Sequence, residues 1–199
     1  MVQFDGTSDY FINETVNYTA RTAIAVFRVD SALRNTNYLG QIWGQYDRGH
    51  IANDYRNLDT GGSYWSFDGS GGAMALFALD GADFTTYHVG NSSLQPWSDD
   101  TVHLVTAQYR SDLSIDTRHT IGSMIWSSGS HFFGGQIAEV LVFNFPLSSQ
   151  ERAGLEYMMA ERWGFFGPAV ATQDQIDAAN ALFPDNEYYV PKGTLLLFN

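Results

Sequence analysis

An all-β fold is predicted for this chain: an antiparallel β-sandwich with a short C-terminal helix and an apolar C-terminal arm. Three observations predict it. Short apolar segments recur between turns rich in Gly, Asn and Asp, at the spacing of sandwich strands. A continuous apolar strand, Gln136 to Phe143, runs through a Phe-Pro-Leu turn into a capped helix. The last residues of the chain are apolar on both alternating faces.

Taken in order, strands are expected at Thr22 to Val29, Leu39 to Gln45, Tyr64 to Phe67, Met74 to Leu79, Val102 to Tyr109 and Gly122 to Ser127. In the fifth of these, Val105, Ala107 and Tyr109 alternate with Thr106 and Gln108, which predicts one buried and one wetter face. The turns Asp80-Gly81-Ala82-Asp83 and Asp99-Asp100 read as hairpin connections. Gln136 to Phe143 is apolar on both faces except at Glu139, as suits a central strand covered on each side, and Pro146 cannot continue its ladder. Ser148 and Glu151 make a capping box, so a helix begins near Ser149. Leu155, Met158, Met159 and Arg162 share one stripe of that helix, and Gly164 supplies its left-handed cap.

The opening run Val2-Gln3-Phe4-Asp5-Gly6-Thr7-Ser8-Asp9-Tyr10-Phe11 resembles the first strand of the laminin G-like, concanavalin A-like jelly-roll domains. The closing strand, Phe132 to Phe143, with Leu147-Ser148 and the acidic helix ending at Trp163-Gly164, resembles their last strand and terminal helix. The resemblance implies a jelly roll over residues 1–167, leaving 168–199 as a C-terminal extension. Such domains occur in lectins, pentraxins, glucanases and phage and bacterial surface proteins, so the resemblance alone selects no activity.

Composition narrows the partners. The chain has 199 residues, of which 44% are hydrophobic and 15% aromatic, ample for one core. Lys192 is the only lysine, and the formal charge of −12 repels phosphate backbones and anionic lipid, which argues against nucleic acid and membrane partners. No apolar run approaches the ~20 residues of a membrane span. With no cysteine, disulfides and thiolate zinc sites are excluded. The first strand follows Met1 at once, from which a soluble cytoplasmic product without a signal peptide is expected.

Catalysis finds little support. The Glu-x-Asp-x-x-Glu strand motif of retaining glucanases is missing, and before Pro146 the only glutamates are Glu14 and Glu139, the latter flanked by Ala138 and Val140. Glu139 is therefore expected to be a structural residue at a strand face or rim. No Gly-x-Ser-x-Gly elbow, His-Glu-x-x-His or phosphate-cradling loop occurs, and the histidines are scattered singly. No catalytic residue is assigned, and the expectation is a protein that is not an enzyme.

Two other regions carry functional readings. Between Tyr46 and Asp68, the residues Tyr46, Asp47, Asn53, Asp54, Tyr55, Asp59, Tyr64 and Trp65 mix flat aromatic faces with carboxylate and amide oxygens. Sugars stack on such rings, and calcium, the one cofactor suggested, takes such oxygens; a solvated, turn-rich crossover is the alternative. In the extension, Thr172 and Gln175 cap a short helix whose Ile176, Ala179, Leu182 and Phe183 share one face. Beyond it, Tyr188, Tyr189, Val190, Leu195, Leu196, Leu197 and Phe198 form an arm that must be covered, by its own sandwich or by a neighbour. The reading leans to the neighbour. The sequence thus predicts a virion structural protein of a bacteriophage, a head-decoration, fibre or tail component that binds other virion proteins or copies of itself. The alternative is a lectin-like module for cell-surface glycans.

Overall fold

In the computed structural model, the residues described are 1–13, 18–30, 32, 39–45, 48–57, 62–66, 74–83, 100–115, 119–126, 129–165, 168–183 and 196–197. The strands are β1 (Val2–Asp5), β2 (Phe11–Asn13), β3 (Tyr18–Val29), β4 (Leu39–Gln45), β5 (Arg48–Asn57), β6 (Gly62–Ser66), β7 (Met74–Leu79) and β8 (Ala82–Asp83). They continue with β9 (Val102–Ile115), β10 (His119–Ile121), β11 (Ser123–Trp126), β12 (Gly129–Phe132) and β13 (Gly134–Phe143). Helices α1 (Ser149–Trp163) and α2 (Gln173–Asn180) follow, then β14 (Leu196–Leu197).

Two antiparallel sheets make the sandwich. The larger runs β1-β13-β3-β9-β7-β8, and the other runs β2-β10-β4-β5-β6, with β11 and β12 as a separate hairpin. Phe27, Val105 and Ala107 of the larger sheet meet Ile42, Trp43 and Ile121 of the smaller one in a common apolar core. The helices form a third layer. Leu155 and Met159 of α1, with Ala179 and Phe183, pack on Ile24, Val26, Leu104, Leu141 and Phe143, which face away from the sandwich.

This third layer explains why Ile137 to Phe143 is apolar on both faces except at Glu139, and at Thr106 it corrects the wetter face expected of β9. Thr106 is fully buried there, because α1 covers the face that alternation alone assigns to water. A bulge sets the phase of β13. Its register on β3 slips between Ile137 and Glu139, so Ile137 faces the sandwich before the slip and Val140 and Val142 face it afterwards. Leu141 and Phe143 are thereby turned to the helices.

The helix termini follow the sequence. Ser148 Oγ accepts from the Glu151 amide at 3.3 Å while Glu151 Oε2 accepts from the Ser148 amide at 2.7 Å, and Gly164 closes α1 with φ at 69°. Thr172 and Gln175 cap α2 reciprocally in the same way. Helix α2 lies close enough to α1 that a Cβ on Gly154 would stand 2.0 Å from the Gln175 carbonyl oxygen. Residues of the C-terminal extension therefore share a core with the sandwich.

At the other end of the chain, the Asp5 carboxylate closes the loop after β1. It accepts from the amides of Thr7, Ser8 and Asp9 and from the hydroxyls of Thr7 and Ser8, all within 3.0 Å. Those bonds, led by the Ser8 and Thr7 amides, hold its pKa well below the usual carboxylate range.

Candidate functional site

Of the residues that the sequence grouped between Tyr46 and Asp68, the structure describes Asn53, Asp54, Tyr55, Tyr64 and Trp65. That stretch is not one crossover loop, because Arg48–Asn57 and Gly62–Ser66 are paired strands. In the register of these strands Asn53 stands opposite Trp65 and Asp54 opposite Tyr64. Tyr55 follows on β5, while Tyr46, Asp47 and Asp59 lie outside the described residues. Among the described residues no group of three or more His, Asp or Glu gathers to hold a metal ion.

Of the arm, only Leu196 and Leu197 are described. They pair in parallel with Leu141 and Val142 of the same chain, the packing-back arrangement that the sequence reading left open beside the neighbour. Since β3 occupies one edge of β13 from Gly135 to Phe143, β14 sits on the opposite edge, beyond the stretch from Gly134 to Ile137 that β1 covers. Tyr188, Tyr189, Val190, Leu195 and Phe198 lie outside the described residues.

A side-chain constellation that no sequence motif announces forms where the β7–β8 turn meets the start of β9. Asp80 and Gly81 both have positive φ, 49° and 80°, which makes Leu79-Asp80-Gly81-Ala82 a tight two-residue hairpin. The turn is pinned to β9 by its backbone and side chain together. The Asp80 amide donates to the Leu104 carbonyl at 2.8 Å, and Asp80 Oδ1 accepts from the Leu104 amide at 2.8 Å. Its second oxygen, Oδ2, lies 2.8 Å from Nδ1 of His103.

That contact settles the tautomer. A carboxylate only accepts, so in the neutral ring Nδ1 carries the proton and Nε2 keeps its lone pair. Thr101 Oγ1, 2.9 Å from Nε2, is then the donor. Thr101 and His103 occupy alternate positions and so share a face. The His103 ring is 5% exposed and tilted against Phe27 at 5.9 Å, whereas Thr101 is exposed. The residue before it, Asp100, has φ at 61°, a left-handed conformation that few side chains adopt.

The glutamates do different work. Glu139 is buried under α1, accepting from Trp163 Nε1 at 2.8 Å with the Arg162 guanidinium 3.8 Å away. Glu156 is buried on the same side of the sheet, where Thr106 Oγ1 donates to it at 2.6 Å. Arg152 lies 3.6 Å from Glu156 and 2.6 Å from Asp83, linking the helix to the β8 edge. Burial pushes the Glu156 carboxyl up, partly offset by the Thr106 bond and by Arg152. Both carboxylates thus tie α1 to the sheet.

Between the sheets, His119 stands edge-on to Tyr18 and Trp43, with ring centroids 5.8 and 6.1 Å away. Burial pulls its pKa from 6.5 down to about 4, so the ring is neutral at physiological pH. The Tyr18 phenol is pushed up by the same burial.

No protein-family model, curated protein or solved structure matches the chain.

Proposed function

We propose that this protein is a structural component of a virion, a bacteriophage head-decoration, fibre or tail protein built on a concanavalin A-like jelly roll, with assembly rather than turnover as its task. The observation that carries this reading is the slot on β13. β1 pairs with β13 only from Gly134 to Ile137, and among the described residues Leu196 and Leu197 of β14 lie further along the same edge, beside Leu141 and Val142. A strand edge of this kind can be filled equally by the corresponding segment of a neighbouring copy, exchanged rather than added. Strand exchange needs no new surface. The virion setting rests on the resemblance of the chain's opening and closing strands.

Solution mass by light scattering tests the assembly role, comparing the full chain with one ending at Pro168, both checked by circular dichroism. The full chain is expected to associate and the shortened one to be a folded monomer. Identical masses for two folded chains would remove the arm from the proposal.

A second reading, glycan binding, is favoured by the register that sets Asn53 opposite Trp65 and Asp54 opposite Tyr64, each an aromatic residue paired with an amide or carboxylate residue. Trp65→Ala is expected to abolish binding of a responsive sugar on a glycan panel. A panel on which the unaltered chain binds nothing removes this reading, and with it calcium-assisted recognition.

A further inference from the structure

An assembly role makes no use of the Asp80–His103–Thr101 chain. Pinning a two-residue turn needs only the Asp80 backbone and its Oδ1, both already bonded to Leu104. The remaining oxygen is spent on a buried imidazole, whose far nitrogen points its lone pair at a hydroxyl on the surface. We propose that Thr101 is an acylatable nucleophile, activated by His103 as general base and oriented by Asp80, toward activated carboxylic esters.

The roles follow from the geometry. A nucleophilic hydroxyl needs a base within about 2.6 to 3.2 Å, and the base needs a third group that fixes its tautomer. Here the two contacts are 2.9 and 2.8 Å. The same order of roles, carboxylate to Nδ1 and Nε2 to hydroxyl, recurs on unrelated folds and is recognised by geometry rather than by position in sequence. His103 is buried while Thr101 is exposed, so the base is shielded from water and the hydroxyl remains reachable.

In the reaction, the Thr101 O–H bond breaks as its oxygen attacks the acyl carbon and the proton passes to His103 Nε2. The C–O bond to the alkoxide or phenoxide leaving group then breaks, and that group leaves with the proton. Water, deprotonated by His103 in turn, cleaves the acyl-threonine to a carboxylic acid and restores the hydroxyl. No oxidant or metal is needed. The expected substrates are esters with good leaving groups, which ask the least of oxyanion stabilisation.

The test uses the full chain with p-nitrophenyl acetate, following intact mass and mapping the acetyl group by peptide mass spectrometry, since Lys192 and a terminal amine also react with this ester. One acetyl on Thr101 is expected in the unaltered protein and in Thr101→Ser. Thr101→Val should lack it. Asp80→Asn is the decisive variant. Asn tolerates the left-handed turn and keeps an oxygen for the Leu104 amide, but its NH₂ faces Nδ1 and forces the proton onto Nε2. Acetylation of Thr101 should then slow at least about 100-fold while circular dichroism stays unchanged. His103→Gln should slow it similarly, and in the unaltered chain the rate should rise with pH as the imidazole loses its proton. No acetyl on Thr101, or an equal rate in a folded Asp80→Asn variant, overturns the proposal and leaves the chain of bonds as a turn anchor. Association state plays no part in this readout, so failure here leaves the assembly proposal standing.

Discussion

At the residue scale, His119 makes the stability of the sandwich depend on pH in a defined direction. Its pKa falls from 6.5 to about 4 on burial, so folding disfavours the protonated ring. The stabilisation from a neutral His119 is complete above pH 6.5 and is lost as pH drops through the folded value near 4. It amounts to on the order of 3 kcal/mol. Glu156 acts oppositely, because its raised pKa favours the folded state in acid and opposes it as pH rises. His119→Phe keeps a ring between Tyr18 and Trp43 but removes the titration, so its melting temperature should change less than that of the unaltered chain between pH 6.5 and 4. Parallel curves in that window would show that His119 is not the group responsible.

At the scale of elements, Gly154 decides whether α2 can dock. Any Cβ there would meet the Gln175 backbone, which cannot swing aside as a flexible side chain could. Gly154→Ala is expected to cost about 1 to 3 kcal/mol and to raise amide exchange across Gln173–Asn180, while the strands keep their protection. Unchanged exchange in α2 would mean that the helices separate without loss. Both helices were legible because each start carries a reciprocal cap, Ser148 with Glu151 and Thr172 with Gln175. Strands β4 and β7 were legible to the residue from their apolar runs between turns. β5 was not, because Arg-Gly-His-Ile-Ala-Asn-Asp-Tyr-Arg-Asn offers polar residues at most positions and lacks the alternation of a half-buried strand. The candidate site was invisible for a different reason. Asp80 and His103 meet only through the pairing that sets Leu79 beside Val105, a relation between strands that no local pattern encodes. The usable signals were an Asp-Gly hairpin and a Thr-x-His spacing, which become informative once β7 and β9 are known to be neighbours.

At the scale of the whole molecule, the central fact is that one sheet serves two cores. The larger sheet packs the smaller one on one face and the helices on the other, so it has no wet face over most of its width. A domain arranged this way should unfold as a unit, and a chain shortened at Pro168 should keep the sandwich while losing part of the helix-side packing, namely Ala179 and Phe183. The edge of β13 has a further consequence, in the order of events during synthesis. Residues 2–5 leave the ribosome long before their partners, residues 134–137, are made. β3 waits for β13 in the same way, although it can pair earlier with β9. The nascent chain must therefore carry unpaired apolar strands until β13 arrives, and β14 can seal the remaining edge only after that. Translation that stalls between β9 and β13 would leave Phe4 and the β13-facing edge of β3 uncovered, which makes arrested chains of this protein the form most prone to aggregate in the cell.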